Sequence, residues 1–411
     1  MRALGPLAQG NFRLLFSAQA ISQLGSAVSP VALAFGVLAA TGSAVDLGIV
    51  LTAREAVMVV LLLFGGVWAD RLPRQVIGAV SNSACTLAQA ATGILFLTHT
   101  AQVWSLALLA AATGAAIAFW APASVGLIPS TVPPQDLRQA NTLLGLARNS
   151  SMVTGAALGG VLVALVGPGV GMEIDAASFL VAAVLIWLIR TAGLADERVR
   201  KSVLRDLATG WSEFWSRAWL WGIVIQFSLF NMAYMGAVSV LLPVFARRSL
   251  GGPAAYGAIY AVSGIGAVLG GLLMLRLAPS RPLLVATIGI LAALPFFALM
   301  ALGAPLWALL LTGLLAGVGF ETFNVLWSTT MQERIPQEKL SRVSSYDSFG
   351  SFVFMPIGLA VAGPLEAAIG LGPAIWVAFL VMAIPTGLVL LIPDVRHLPR
   401  LGTMGLVPPS E

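Results

Sequence analysis

Gly65-Gly66-Val67-Trp68-Ala69-Asp70-Arg71-Leu72-Pro73-Arg74-Gln75 follows directly on one apolar run of membrane length and precedes another. Two glycines loosen the end of a hydrophobic helix, an Asp-Arg pair marks the water surface, and Pro73 stops the turn before Arg74 enters the next run. So short a polar link between two apolar runs makes a pair of antiparallel membrane helices.

The rest of the chain agrees. Of its 411 residues only 9% are charged and 58% are apolar, and its mean hydropathy is +0.94, far from the balance of a soluble domain. An all-α integral membrane protein is the expectation. The formal charge of +5 does not point to nucleic acid, because the basic residues sit in short links between apolar runs, where they set orientation. The chain begins Met1-Arg2-Ala3-Leu4 without a cleavable signal pattern, so its first span is expected to insert as its own signal. A lone Cys85 leaves no disulfide within the chain and no cysteine-based metal site.

A bilayer crossing takes about 20 apolar residues. On that length the sequence predicts twelve spans, six over 12–40, 45–69, 75–97, 103–130, 138–166 and 172–190, and six over 218–245, 254–275, 282–302, 305–331, 341–364 and 371–393. Arginine and lysine in short loops collect on the cytoplasmic side. With both termini cytoplasmic, 18 of the 22 basic residues fall inside, Arg247 and Arg248 fall outside, and Arg54 and Arg148 lie within spans. A missed or extra helix would invert half of that assignment.

The expected organisation is a six-helix bundle over 1–190, a linker over 191–217, a second six-helix bundle over 218–394 and a cytoplasmic tail over 395–411. In the linker, Val199, Val203, Leu207, Trp211 and Trp215 recur every four residues opposite a charged face, as in a helix lying on the membrane surface. A solvated linker with chance spacing is the alternative. Gly65-Gly66 followed by Arg71-Leu72 has a counterpart in Gly270-Gly271 followed by Arg276-Leu277, 205 residues on, and Val132-Pro133 has one in Ile335-Pro336, 203 residues on. Two pairs at nearly one offset indicate duplicated halves, an organisation that places a central site between repeats near the midplane.

The pattern Gly66-x-x-x-Asp70-Arg71-x-x-Arg74 between the second and third spans resembles the signature loop of the major facilitator superfamily of transporters. Val132-Pro133-Pro134-Gln135-Asp136-Leu137 running into Gly145-Leu146-Ala147-Arg148-Asn149 resembles its bacterial exporter branch, which includes enterobactin and macrolide efflux carriers. Pro73 stands where that family usually has glycine, and Gln75 where it often has a second basic residue. Gly155-Ala156-Ala157-Leu158-Gly159-Gly160 resembles the glycine-rich antiporter motif of span five, with Ala156 in place of its usual proline; Gly155, Gly159 and Gly160 still permit close helix packing. The resemblance implies a conformational latch at Gly66, Asp70, Arg71 and Arg74 that forms and breaks during transport. A surface loop without that role is the alternative for Asp70, whose place at a helix C-terminus costs an anion a few tenths to about 1 kcal/mol.

Ionisable groups within a span cost roughly 2.5 to 3.5 kcal/mol each on insertion scales and ask for a reason. Those read from the sequence are Arg54 and Glu55 in span two, Arg148 in span five, Glu321 in span ten and Asp347 in span eleven. Arg54 and Glu55 point about 100° apart on a helix and need not neutralise each other; a buried ion pair and a functional role stand about even. Glu321, about ten residues from the cytoplasmic end of its span, lies near mid-membrane. It is expected to carry a coupling proton or to contact a cationic substrate with Arg148 as charge partner, or else to form a permanent pair with Arg148; Glu55 and Asp347 are further proton-coupling candidates. By resemblance, spans one, four, seven and ten line a central cavity, with Gln19, Gln23, Trp120, Asn231, Tyr234, Glu321 and Asn324 as its polar and aromatic candidates. A mainly apolar wall with scattered hydrogen-bonding groups and one acid suits a neutral or cationic amphipathic molecule.

The chain has no Gly-x-x-x-x-Gly-Lys-Ser/Thr loop for ATP, and His99 and His397 lie too far apart to suggest a metal pair. No cofactor, metal or enzymatic activity is expected, and the energy is expected from an ion gradient or the substrate's own gradient. The reading is a monomeric, proton-coupled exporter of amphipathic small molecules in a bacterial cytoplasmic membrane, in contact with its lipids. Uptake or facilitated diffusion, and a non-transporting receptor or scaffold on the same fold, are the alternatives.

Overall fold

Within hydrocarbon every backbone N–H and C=O must be bonded inside its own segment, so long apolar runs become helices. The computed structural model describes residues 2–69, 73–190, 211–212 and 214–399, and every regular element among them is helical. The first helices are α1 (Gly10–Thr41), α2 (Ala44–Ala69), α3 (Arg74–Leu97), α4 (Val103–Leu127) and α5 (Leu137–Trp187). There follow α6 (Ala218–Gly236), which passes through a π-helical turn at Ala237–Leu241 into α7 (Leu242–Ser249), then α8 (Pro253–Arg276), α9 (Pro282–Leu291) and α10 (Leu294–Ala301). The last are α11 (Leu306–Arg334), α12 (Gln337–Phe352), α13 (Met355–Ile369), α14 (Leu371–Val389) and the short α15 (Pro393–His397).

Ten helical segments among the described residues are long and apolar enough to cross a membrane. That number is consistent with twelve crossings. The 26 residues of α2 reach roughly 39 Å at 1.5 Å per residue, and α5 is two helices in one. Inside its 51 residues Gly167 takes φ +85° and ψ 166°, a conformation L side chains rarely adopt. Pro168 follows, where a missing N–H costs a starting helix nothing. The same backbone angles recur at Gly370 between α13 and α14, 203 residues beyond Gly167, the interval that separates Pro133 from Pro336.

The chain forms two compact units. Unit 1 comprises Met1–Glu197, Leu242–Ala261 and Leu359–Pro364. In it α1 runs along α5, α2 packs on α4, and α3 packs on both α4 and α5. Lipid tails are as apolar as leucine, so helices associate through close contact and internal hydrogen bonds, and small residues make that contact possible. Gly155 and Gly159 of α5 meet Ala27 and Val28 of α1, where a Cβ on Gly159 would lie 3.0 Å from the Val28 Cα. Gly160 faces Pro253 and Gly257 of α8. Large apolar side chains point outward as well, with Leu165 79% and Leu87 73% exposed, as a lipid-facing surface requires.

Unit 2 comprises Arg198–Leu241, Val262–Gly358 and Leu365–Glu411. There α12 and α14 pack against α6, and α9 packs against α11. Gly266 and Gly270 of α8 lie against the backbone of Leu314 and Val318 in α11. Trp211 and Phe214, at the end of the linker, pack on Tyr346 of α12 with ring centroids 5.5 and 6.1 Å away. Asp70 and Arg71 of the expected latch, residues 191–210 of the linker and residues 400–411 of the tail lie outside the described residues.

Candidate functional site

The aromatic residues of unit 2 form a continuous stack across two helices. On α6, Phe227, Phe230 and Tyr234 recur at helical spacing; on α11, Phe320, Phe323 and Trp327 do the same. Tyr234 meets Phe320 edge-on at 5.0 Å, Phe230 meets Phe320 at 5.6 Å, and Phe227 lies parallel to Phe323 at 4.5 Å with an interplanar angle of 8°. Phe323 continues onto Trp327 at 6.0 Å. The indole Nε1 of Trp327 then donates to Oδ2 of Asp347 on α12 over 3.2 Å, and the Ser351 hydroxyl donates to Oδ1 over 3.5 Å. The stack therefore ends on a carboxylate. Phe230, Phe323 and Trp327 are buried, whereas Phe227, Tyr234 and Phe320 are half-buried. Ring faces and edges of this kind receive apolar or cationic groups, the quadrupole supplying attraction for a cation.

The other expected residues of unit 2 are spread around that stack. Asn231 is buried and donates through Nδ2 to the Ser351 carbonyl over 3.0 Å, tying α6 to α12. Glu321 is half-buried on α11 beside Gly270 and Gly271, where a Cβ added to Gly271 would lie 3.7 Å from its Cγ. Asn324, one turn on, is exposed.

In unit 1 the adjacent Arg54 and Glu55 do reach each other, with Nε 3.5 Å from Oε1, because long side chains span the angle between neighbouring helix positions. Trp120 is half-buried and packs against Gly78, Ile77 and Ala123. Gln19 is half-buried on α1, and one turn on the Oε1 of Gln23 is buried without a hydrogen-bond partner. Arg148 is exposed on α5. Arg74, at the start of α3, donates from Nη1 to the Gly126 carbonyl at the end of α4 over 2.6 Å.

Unit 1 also holds an acid that the sequence reading did not single out. Asp175, on the second arm of α5, is wholly buried. It accepts from Nε2 of Gln89 on α3 over 2.7 Å and from the Ser26 hydroxyl on α1 over 3.3 Å. Gln89 Nε2 also donates to the Ser29 hydroxyl over 3.0 Å. Gly25 of α1 makes this convergence possible: a Cβ there would overlap the Ser178 hydroxyl and stand 3.2 Å from Asp175 Oδ1. The available signal was Gly167-Pro168 as a helix start, which sets Asp175 two turns inside the arm. No group of three or more His, Cys, Asp or Glu side chains able to hold a metal occurs among the described residues.

The model of the Major Facilitator Superfamily matches residues 15–358. The multidrug efflux pump Tap of Mycolicibacterium fortuitum is 27% identical over 412 residues, covering 97% of this chain and 98% of its own. The enterobactin exporter EntS of Shigella dysenteriae serotype 1 is 27% identical over 397 residues, covering 94% of this chain and 92% of its own. Among solved structures, the nucleoside transporter NupG has a TM-score of 0.75 at 12% identity, covering 93% of this chain and 98% of its own. A bacterial homologue of the human lysosomal transporter Spinster, inward-facing and unoccupied, has a TM-score of 0.73 at 15% identity and covers 99% of both chains.

Proposed function

The chain belongs to the major facilitator superfamily, and from that premise we propose that it is a proton-coupled exporter of amphipathic neutral or cationic small molecules. It is a multi-pass membrane transporter with efflux-pump relatives. The observation that carries the finer reading is the aromatic stack from Tyr234 to Trp327 that ends on Asp347. Its half-buried rings offer apolar area and π-faces, and a carboxylate at one end favours a positive or hydrogen-bond-donating group. Gln23 adds an unpartnered buried acceptor in unit 1.

The proposal extends to mechanism. Two six-helix halves, 1–190 and 218–394, rock around a central site, with both termini in the cytoplasm of a bacterium and a monomer as the working unit. Asp70 with its neighbours Gly66, Arg71 and Arg74 forms a latch in the first half alone, since Leu275 stands at the repeat position of Asp70. Proton uptake at an acid within the spans exchanges for the substrate.

Reconstitution in liposomes with an imposed pH gradient tests the reading. Ethidium serves as the lipophilic cation, and a pH dye reports proton movement in the same vesicles. The expected result is ethidium movement that needs the gradient and dissipates it. Ethidium equilibrating without proton movement supports facilitated diffusion instead, and neither species moving across a panel extended to neutral antibiotics and siderophores rejects export.

A further inference from the structure

We propose that Asp175 is a proton-binding residue of this carrier and that Gln89 is the positioning residue that holds it in both protonation states. The inference rests on the proton-coupled reading above and names a site for it outside the aromatic stack.

Asp175 has no exposed surface, and the side chains that donate to it, Gln89 and Ser26, are neutral. An isolated buried carboxylate is costly, and neutralisation by a proton is the ordinary way such a group is relieved. The surroundings suit either state. With the carboxylate ionised, Gln89 Nε2 donates to Oδ2 and to Ser29, Ser26 donates to Oδ1, and the Ser29 hydroxyl turns to the Met172 sulfur 3.9 Å away. With one proton taken from water onto Oδ2, a half-turn of the Gln89 amide sets its carbonyl oxygen where the nitrogen had been. That oxygen accepts from the carboxylic O–H and from the Ser29 hydroxyl, while Oδ1 still accepts from Ser26. Release of the proton to water reverses the change. Both carboxyl oxygens of Asp175 and the Ser29 hydroxyl keep a hydrogen-bond partner in either protonation state, because the Gln89 amide can present a donor or an acceptor to the same point.

Few titratable groups lie on the helices packed about Asp175, and Glu173 is the neighbouring acid from which the test must separate it. On α1 there is Arg13, thirteen residues from Ser26 and so roughly 20 Å along the axis. On α3 there are Cys85, one turn from Gln89, and Arg74, fifteen residues from it and so roughly 22 Å away. On α5 itself, Arg138 and Arg148 lie on the first arm, before the Gly167 break, and Glu173 lies two residues away with its Oε1 buried beside Gly93 of α3. Arg54 of α2 is the cation whose field reaches the site.

Infrared difference spectroscopy of the full chain in lipid nanodiscs, stepped through pH, reads the carbonyl stretch of a protonated carboxylic acid without any substrate. A pH-dependent band is expected in the parent protein, lost in Asp175→Asn and kept in Glu173→Gln, Glu321→Gln and Asp347→Asn. Gln89→Leu is expected to displace its titration midpoint. If Asp175→Asn fails to fold, Asp175→Glu replaces it, with the band expected at an altered position. A band that survives Asp175→Asn unchanged, or that disappears in one of the other three variants, overturns the assignment. Ethidium vesicles separate this from the exporter reading: gradient-driven movement in the parent that is undiminished in Asp175→Asn rejects the coupling role alone, whereas no movement in the parent rejects export and leaves the spectroscopic result standing.

Discussion

Arg74 Nη1 donates to the backbone carbonyl of Gly126 over 2.6 Å, so an arginine of the signature loop holds the end of α4. The last carbonyls of a helix have no partner within it, and a cation there also meets the negative end of the macrodipole. A hydrogen bond to a charged group contributes about 1.5–3 kcal/mol. Arg74→Ala is expected to lower the thermal unfolding midpoint in detergent by about 2–5 °C, with Arg74→Lys recovering part of the loss. Arg13→Ala, exposed at the start of α1, is the control. An unmoved midpoint in Arg74→Ala would leave the contact without a stabilising role.

Close approach of α1 and α5 gives a second expectation. A Cβ on Gly159 meets Val28 at 3.0 Å, whereas one on Gly145 meets nothing within 4 Å. Gly159→Leu overpacks that contact at a cost of about 1–3 kcal/mol. Gly145→Ala relieves a helix-interior glycine and is expected to be neutral or to stabilise by up to about 1 kcal/mol. Equal yields of folded protein for both variants in size-exclusion chromatography would remove the packing argument.

The spans were legible because a bilayer crossing is long and leaves little choice of form, and because Arg71, Arg74, Arg276 and Arg281 punctuate it. Which faces meet was not. Phe227, Phe230 and Tyr234 on one helix and Phe320, Phe323 and Trp327 on another are each visible as periodic, but nothing in either run says that Phe227 stacks on Phe323. For Arg54 and Glu55 helix geometry leaves an ion pair and a separate functional role open, since an angle between Cβ directions says nothing of how far two long side chains bend; the side chains reach each other at 3.5 Å. Asp175 falls three residues inside a span that begins at 172, and nothing in the sequence marks its depth; the Gly167 break starts the arm earlier, and the packed helices bury it.

The stack predicts a substrate effect separable from folding. Tyr234 is half-buried at the outer end of the stack, against Phe320 at 5.0 Å and Phe297 at 5.9 Å. If the proposed site holds a lipophilic cation, loss of one aromatic face costs about 0.5–2 kcal/mol of binding. Tyr234→Ala is then expected to raise the KM for ethidium roughly two- to thirtyfold, while Tyr234→Phe, which keeps the ring, stays close to the parent. A KM unchanged in Tyr234→Ala, with the protein still folded, would place the substrate elsewhere.

Asp347 and Glu321 divide structural from coupling roles. Asp347 accepts from Trp327 and Ser351, so Asp347→Leu leaves a buried indole N–H without its partner, at about 1–3 kcal/mol. Asp347→Asn keeps an acceptor for the indole and is expected to preserve both stability and the intrinsic tryptophan emission. Glu321 rests beside Gly270 and Gly271, and Glu321→Gln keeps its size there, so the fold is expected to survive. Gradient-driven ethidium movement in vesicles then sorts the two acids. A residue whose amide variant is stable but no longer responds to the pH gradient takes part in coupling; one whose amide variant transports as the parent does serves packing alone. Asp347→Leu losing stability while Asp347→Asn keeps full coupling would assign Asp347 to the support of Trp327 and leave the proton to Glu321, Glu55 or the buried Asp175.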